Sequence, residues 1–546
     1  MSEHGDSILI LGGGVMQIPA IAAARRLGLW THVADGNARC PGSAEADVFH
    51  HIDLRDLEGL LACAREIPGL KGAFTAGTDF SSSVAWITEH LGLPGISYEV
   101  SLAATDKGRM RDRLSSAGVG IPVYRIISES QTSPSEIRTI AHDLRFPVVC
   151  KPADNMGARG VRRVTHLDDL PGAVFEAIRL SVSGRVIVEE LIAGQEYSLD
   201  ALVVDGSVHI TGIAQRHVYF PPWFVELGHT IPASLRNRDL RALESTFADA
   251  IRAIGIDRGA AKGDIFLTHS SETGEPEITV GEIAARLSGG YMSGWTYPAS
   301  SGVPLTKIGI EIALGRPVTA DHLIPTRHRV CVERAVISAP GVVDTIETPV
   351  PASEGGILTA EEHVFVTCSE GDSVSVPTNN VEKVANIIAV GGSVKEAEDR
   401  VAEIRRHIHI GLVPHNLETD RYVFEEGWSG PWAHYALPKE DRFDLDQRPM
   451  VQGRIDQLED IVTRGQPLPV QPLVTGNPRW TDHIEARHIA VDGVESLHGL
   501  VKNGVVVFAL ESSRADGIFW KAFLSSGLQG VKYLISCLAT SREVTA

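Results

Sequence analysis

FPVVCKPADNMGARGV stands at residues 146–161 and combines an apolar strand, a lysine and a glycine-containing loop. The run Phe146–Cys150 delivers Lys151 at its end, and the loop Asp154–Gly160 follows directly. An ammonium beside loop amides suits a polyphosphate, because the ammonium is a point charge and the amides donate hydrogen bonds. The stretch therefore predicts a lobe that holds phosphate.

A second stretch, VIVEELIAGQEYSLD at residues 186–200, reads as a strand, a short hinge and a second strand. Backbone groups of the hinge could meet a purine edge while Glu196 accepts hydrogen bonds from ribose hydroxyls. A pair of glutamates at a strand end is also typical of a solvated rim, so both interpretations stay open. The second strand is predicted to pair with Ser207–Gln215 across Asp205-Gly206, a dipeptide typical of hairpin turns.

Two carboxylates face each other across the next predicted strand pair. Asp264 lies in the strand Gly263–Thr268, and Glu282 lies in its antiparallel partner Glu277–Ile283. Facing carboxylates repel each other unless a cation lies between them, and oxygen ligands suit Mg²⁺. Arg286 follows and could bring a planar cation to a phosphate or carboxylate. A surface network of salt bridges is the alternative.

The N-terminal stretch predicts a parallel α/β domain. A strand at Ser7–Leu11 is followed by Gly12-Gly13-Gly14, a helical pattern at Met16–Leu27 and a strand at Thr31–Ala34. Glycines before a helix could receive an anion on free amides, or serve only the tight turn. The motif is not GxGxxG, which favours the tight turn alone over a ligand site.

Composition limits the class of protein. The chain has 546 residues and a formal charge of −19, from 50 Lys+Arg and 69 Asp+Glu, which disfavours nucleic acid and anionic membranes as partners. Its length predicts about three to five domains. The six cysteines include no CxxC pair, and the N-terminus lacks the basic start and apolar core of a signal peptide. We therefore expect a cytoplasmic protein.

Taken in order, these pieces resemble the ATP-grasp superfamily, and most closely its carboxylate–amine ligases, with an architecture like that of L-amino acid ligases and biotin carboxylases. The resemblance runs from Ile8 to about Arg406. Beyond the stretches quoted above, it is carried by TAGTD (75–79), GLPGIS (92–97), ATDKGRMRDRL (104–114), VELGHTIPA (225–233), GEIAARLSGG (281–290) and IAVGGSVKEAEDRVAEI (388–404).

The resemblance implies an α/β fold with several domains. These are a Rossmann-like preATP-grasp domain at 1–100, a two-lobed α+β ATP-grasp domain at 101–318 with its lid lobe at about 126–200, a β-rich subdomain at 319–425, and an additional α/β module at 426–546. The role of the last module is not indicated by any motif.

The same resemblance implies an ATP site between the lobes. Lys107 and Lys151 hold the phosphates, and the loop Gly157–Val161, with Gly157 and Gly160, folds over them. The hinge that meets adenine is implied at Glu189, Glu190 and Ile192. The carboxylate that meets the ribose is implied at Glu196.

Metal and catalytic roles are implied as well. Asp264 and Glu282 resemble ligands that bridge two Mg²⁺ ions, or Mn²⁺, to the phosphates. The family often has Asn two residues after the second ligand, where this chain has Ala284. Arg286 resembles the arginine that steadies an acyl phosphate, and Lys151 is expected to act with it.

The implied reaction transfers the γ-phosphoryl group to a small-molecule carboxylate, after which an amine attacks the acyl phosphate. His229 and Glu226 are placed to bind or deprotonate that amine, although a structural histidine is equally consistent. Four aromatic residues could form an apolar pocket for the substrate, or they could belong to the core. They are Tyr219, Phe220, Trp223 and Trp295.

Two alternatives to this function stay open. One is a carboxylate ligase of the purine-pathway type, and the other is a non-catalytic nucleotide-binding protein. Retention of both lysines, the carboxylate pair and Arg286 argues against the second. A homodimer is compatible with a carboxylate–amine ligase and with a ligase of the purine-pathway type.

Overall fold

The N-terminal domain is a parallel α/β domain, as predicted, and its four strands lie in the order β3-β2-β1-β4. Strand β1 is buried throughout, and Gly12 then turns the chain with a positive φ of 99°. The predicted helix begins with a short 3₁₀ turn, Val15–Gln17, before the α-helix. The elements are β1 (Ser7–Leu11), α1 (Ile18–Arg26), β2 (Trp30–Asp35), α2 (Gly42–Glu45), β3 (Val48–His51), α3 (Leu57–Glu66), β4 (Leu70–Phe74) and α4 (Ser81–Leu91).

We describe a computed structural model, which covers residues 5–219, 222–405 and 407–424 together with Gln529, Tyr533, Ser536 and Cys537. The predicted module at 426–546 therefore lies outside the described residues apart from those four. In the described parts of the chain, none of the helices has the length and apolarity that crossing a bilayer requires.

Two capped helices follow the N-terminal domain, α5 (Tyr98–Thr105) and α6 (Lys107–Ser116). The Asp106 carboxylate accepts a hydrogen bond from the Arg109 backbone N–H at 3.0 Å and caps α6. Such a cap satisfies an amide that has no partner within the helix. It fixes Lys107 at the first position of α6, where its side chain is buried.

The lid lobe is a four-stranded antiparallel sheet in the order β5-β8-β6-β7, with two helices packed on its apolar face. Alternation along β6 buries Val148 and Cys150 and leaves Lys151 on the opposite face. Its elements are β5 (Tyr124–Ser128), α7 (Pro134–Ile140), β6 (Val148–Pro152), β7 (Arg162–Val164), α8 (Leu170–Leu180) and β8 (Arg185–Glu190).

The central sheet contains strands in the order β13-β12-β9-β10-β11. The predicted hairpin between β9 and β10 is confirmed, and Asp205 and Gly206 both have positive φ, at 47° and 79°, as its tight turn requires. One face packs on Leu243 and Phe247 of α9. The elements are β9 (Gln195–Val204), β10 (Ser207–Tyr219), β11 (Val225–Ile231), α9 (Asn237–Ile254), β12 (Gly259–His269), β13 (Pro276–Ala284), α10 (Tyr297–Ser301) and α11 (Leu305–Ala313).

The chain divides into two compact units, Met1–Glu333 with Val390–Ala397, and Arg334–Ala389 with Glu398–Ala546. The second is rich in strands over its described residues, with a sheet in the order β17-β15-β19 and an antiparallel β16-β18 pair. The remaining elements are β14 (Val330–Val336), β15 (Gly341–Glu347), β16 (His363–Val366), β17 (Ser373–Val374), β18 (Ala385–Gly391), α12 (Val394–Arg405), β19 (His409–Leu412) and α13 (Leu417–Phe424).

Candidate active site

The carboxylate pair lies on the charged face of the central sheet. Asp264 of β12 stands directly opposite Glu282 of β13, and the register shifts immediately beyond this rung, so that Ile265 pairs with Val280. The extra residue, Gly281, forms a β-bulge, a feature that re-aims neighbouring side chains. The structure therefore brings together the two residues predicted as metal ligands.

Cations contact both carboxylates. Lys107 Nζ lies 3.2 Å from Glu282 Oε1, and the Lys262 ammonium contacts Asp264 Oδ2. Burial opposes ionisation of Glu282, but Lys107 and Lys262, with Lys151 and Arg286, outweigh it and hold the pKa of that carboxyl far below its usual range. Glu282 is therefore an anion at every pH at which the protein would function.

This donor set fits a magnesium ion. Asp264 Oδ1 is buried and has no hydrogen-bond partner among the described residues. Within the same residues, no group of three or more His, Cys, Asp or Glu side chains is placed to hold a metal. Two carboxylates without further protein ligands are typical of Mg²⁺, which keeps waters and takes substrate phosphate oxygens.

A buried ion network joins the lid lobe to the central sheet. Glu189 Oε2 lies 2.5 Å from Lys151 Nζ, and Glu189 Oε1 accepts a hydrogen bond from Arg111 Nε at 2.7 Å. Arg111 also donates to the Gly281 carbonyl at 2.7 Å, at the bulge beside Glu282. Burial opposes ionisation of Glu189, but Arg111 and Lys151 outweigh it and lower its pKa. Sequence reasoning missed Arg111, although it lies one turn after Lys107.

Glu190 faces away from Lys151. Its carboxylate accepts hydrogen bonds from the Arg145 backbone N–H at 3.0 Å and from Arg145 Nε at 2.9 Å. Ile192 follows the end of β8 and is partly buried. A hinge role for Glu190 would therefore depend on its backbone, because its side chain is held on the other face of the strand.

The loop Asp154–Gly160 is anchored at its start. The Asp154 carboxylate accepts from the Val182 and Ser183 backbone N–H groups at 3.0 and 2.6 Å. Lys107 Nζ donates to the Asn155 carbonyl at 3.2 Å, which ties the loop to the carboxylate pair. The three residues of this loop with left-handed φ are Gly157, Ala158 and Gly160. Such backbone suits a turn whose amides point outward.

Arg216 of β10 occupies the centre of the charged face and was not identified from the sequence. Its guanidinium contacts the Glu196 carboxylate, lies 2.9 Å from Asp264 Oδ2, and donates through Nε to Glu226 at 2.9 Å. Burial opposes its charge, but Asp264 and Glu196 outweigh it and raise its pKa. Arg216 therefore links the carboxylate predicted for ribose, one predicted metal ligand and Glu226.

His229 lies buried between two carboxylates. Its Nδ1 is 2.9 Å from Glu333 Oε2, and its Nε2 is 3.4 Å from Glu226 Oε2. Burial alone would lower the pKa of His229, but Glu226 and Glu333 outweigh it and raise the pKa to about 9. The side chain is therefore a cation near neutral pH, and it holds the Glu226 carboxylate by an ion pair.

This ion pairing predicts a pH-dependent stability. The pKa of His229 rises from 6.5 to about 9 on folding, so its stabilising contribution is complete below pH 6.5 and is lost as the pH rises through 9. The expected loss is about 3 kcal/mol. Urea unfolding between pH 6.5 and 9.5 measures it. His229→Gln should remove this dependence, whereas the exposed control His90→Gln should keep it; an unchanged dependence in His229→Gln would contradict the assignment.

Two sequence motifs far apart in the chain meet around Arg286. Asp79 accepts from Arg286 Nε at 2.7 Å, and the Gly77 backbone N–H donates to the Leu287 carbonyl at 3.2 Å. Ser288 Oγ donates to the Asp200 carboxylate at 2.5 Å. Burial raises the pKa of Asp200 to about 7. TAGTD of the N-terminal domain thus holds the loop that carries Arg286.

The structure also places the glycine turn predicted for an anion and the described aromatic residues predicted near the substrate. The Gly13 backbone N–H donates to the Asp35 carboxylate at 2.7 Å, so a side chain already receives that amide of the glycine turn. Trp295 packs edge to face with Tyr291, with 5.6 Å between ring centroids. Phe220 lies outside the described residues.

Comparison with known proteins identifies the domain. Residues 144–293 match the family model described as the ATP-grasp domain. The L-arginine-specific L-amino acid ligase of Bacillus subtilis is 24% identical over 215 residues, 38% of this chain and 49% of that protein. The chain spans about half the length of the curated relatives it matches.

Solved structures share the fold. The L-amino acid ligase of Bacillus licheniformis gives a TM-score of 0.61 at 20% identity and covers 76% of this chain and 100% of its own. Phosphoribosylglycinamide synthetase of Anaerococcus prevotii gives 0.58 at 20% identity, covering 75% and 100%. The family match places an ATP-grasp domain at residues 144–293, as the sequence resemblance predicted.

Proposed function

We propose that the protein is an ATP-dependent ligase that activates a small carboxylate as an acyl phosphate and joins it to an amine, releasing ADP and phosphate. The observation that carries the proposal is the Asp264–Glu282 pair, with Lys107, Lys262 and Arg286 exerting positive charge on Glu282. The carboxylates would bind the metal ion, and the surrounding cations would bind the negatively charged phosphates, so the charges of the site complement a metal-bound polyphosphate.

The phosphate side of the reaction is supported by groups from both lobes. Asp264 and Glu282 would hold Mg²⁺, which would neutralise phosphate charge when bound. Lys107 and Lys151 would bind the phosphate oxygens, and Lys151 would first separate from Glu189, 2.5 Å away. The loop Asp154–Gly160 would close over the phosphates and exclude water, which protects a mixed anhydride from hydrolysis.

The substrate side is supported by Arg286, Glu226 and His229. Arg286 presents a fork that can bind a carboxylate or an acyl phosphate in two contacts. Glu226, held in place by His229 and Arg216, would attract an amine that arrives as a cation. In this assignment His229 positions Glu226, and its raised pKa disfavours a role as the general base.

A substrate panel tests the proposal. Full-length protein is incubated with ATP, Mg²⁺ and single amino acids, amino-acid pairs or other small carboxylates, and phosphate release and product mass are recorded together. Amino acids take priority because two relatives are L-amino acid ligases. We expect release that requires both a carboxylate and an amine, with a product mass equal to their sum minus water.

The same experiment separates the alternatives. Release with a phosphoribosyl-type amine or carboxylate alone would favour a purine-pathway type of ligase. Binding of the non-hydrolysable analogue AMPPNP without release from any pair would favour a non-catalytic nucleotide-binding protein. We also propose a cytoplasmic location and small-molecule substrates; light scattering of the full chain would test for a homodimer.

A further inference from the structure

A lysine lies beside the carboxylate pair on the same face of the sheet. Lys262 precedes Asp264 by two residues on β12, so both side chains point to one side of the strand. In the ladder, Lys262 stands opposite Ala284, and Asp264 stands opposite Glu282. The side chain of Lys262 is only 11% exposed, and its ammonium contacts Asp264 Oδ2.

The oxygens of the Asp264 and Glu282 carboxylates differ in their contacts with cations. Asp264 Oδ2 contacts the Lys262 ammonium and lies 2.9 Å from Arg216 Nη1, while Glu282 Oε1 lies 3.2 Å from Lys107 Nζ. In contrast, Asp264 Oδ1 is buried and lacks a hydrogen-bond partner within the described residues. Asp264 Oδ1 is therefore the oxygen of this pair that is best placed to bind a metal.

The next rung on the same face of the sheet adds a cation where a further ligand would be needed. Ala284 offers only a methyl group, and its cross-strand partner Lys262 offers an ammonium. A divalent ion beside that ammonium would meet like charge in a site screened from water, where repulsion is strong. Two carboxylate oxygens, completed by phosphate oxygens and water, suffice for one Mg²⁺ ion.

We propose that the nucleotide site holds one divalent metal ion. In this proposal the Lys262 ammonium supplies, beside the polyphosphate, the positive charge that a second metal ion would otherwise supply. This inference rests on the proposed function, because it assumes that a nucleoside triphosphate binds at the Asp264–Glu282 pair. It makes Lys262 a phosphate-contacting residue and explains why the chain tolerates alanine at position 284.

Metal stoichiometry tests the inference without a catalytic readout. Full-length protein saturated with AMPPNP is titrated with Mn²⁺, and free Mn²⁺ is measured by electron paramagnetic resonance. We expect one bound Mn²⁺ per bound nucleotide in the wild-type protein. The double variant Lys262→Ala, Ala284→Asn should approach two. The control Lys307→Met, whose lysine is 44% exposed and pairs with Glu311 on α11, should stay at one.

The outcomes are distinct. Two Mn²⁺ ions per nucleotide in the wild-type protein would overturn the inference even if the double variant failed to fold, and would leave the proposed function standing. A folded double variant that still binds one ion would also contradict the assigned role of Lys262. Absence of AMPPNP binding by the wild-type protein would overturn the proposed function, and the inference with it.

Discussion

Glu282→Gln should reduce phosphate release, measured with the most active substrate pair, by about a thousandfold or more. The substitution keeps the shape of the side chain but removes the charge that opposes Asp264 across the rung and pairs with Lys107 at 3.2 Å. In the proposed function Glu282 would hold a metal ion that stabilises charge on the transferred phosphoryl group in the transition state. A thousandfold loss corresponds to about 4 kcal/mol. Steady-state assays at saturating ATP and Mg²⁺ measure the effect.

The matched control for this prediction is Glu277→Gln. Glu277 lies on the same strand, β13, but is exposed and stands opposite Thr268, away from the cations. Its activity should stay within about twofold of the wild-type value. If Glu282→Gln retained more than about a tenth of wild-type activity while folded, the assignment of the carboxylate pair to the metal would be wrong.

Arg111→Met should destabilise the protein by about 3–5 kcal/mol, the cost typical of breaking a buried ion pair by removing one partner. Arg111 is fully buried, and its guanidinium holds both Glu189 and the Gly281 carbonyl. Its removal leaves the buried Glu189 carboxylate with Lys151 as its remaining ion-pair partner among the described residues. Urea unfolding monitored by tryptophan fluorescence gives the free energy of unfolding.

Arg109→Met is the control on the same helix. Arg109 pairs with Glu99 at 3.1 Å, but both side chains are about half exposed or more, at 49% and 64%. Exposed pairs of this kind contribute about 1 kcal/mol or less. Equal losses for the two variants would show that Arg111 does not hold the network together. A second expectation is weaker AMPPNP binding by Arg111→Met, since Lys151 would then be held more tightly by Glu189.

Local pattern was sufficient for much of the fold. An apolar run predicted β6, two strand segments joined by a turn predicted β12 and β13, and the Asp205-Gly206 dipeptide predicted the turn between β9 and β10. The order of the motifs predicted the ATP-grasp domain, which the family comparison then identified. The facing of Asp264 and Glu282 could be predicted because they lie on neighbouring strands of one hairpin.

The partners of the charged groups could not be predicted in this way. Arg216, Glu333 and Asp79 each stand in an ordinary strand or loop sequence, and none belongs to a repeat or a periodic pattern. Arg286 meets Asp79 across 207 residues, and His229 meets Glu333 across 104. The protonated state of His229 follows from these partners, so it could not be predicted from the sequence either.

The sequence by itself therefore determined the main strand pairs, the ATP-grasp resemblance and the residues predicted to carry charge toward a phosphate. Only the tertiary structure decided which charges pair: Lys262 with Asp264 opposite Ala284, Arg111 with Glu189, and Arg286 with Asp79. The physical reason is that backbone pattern is set by burial along one strand or helix, whereas a buried charge is stabilised by whichever opposite charge the completed fold brings within a few ångströms.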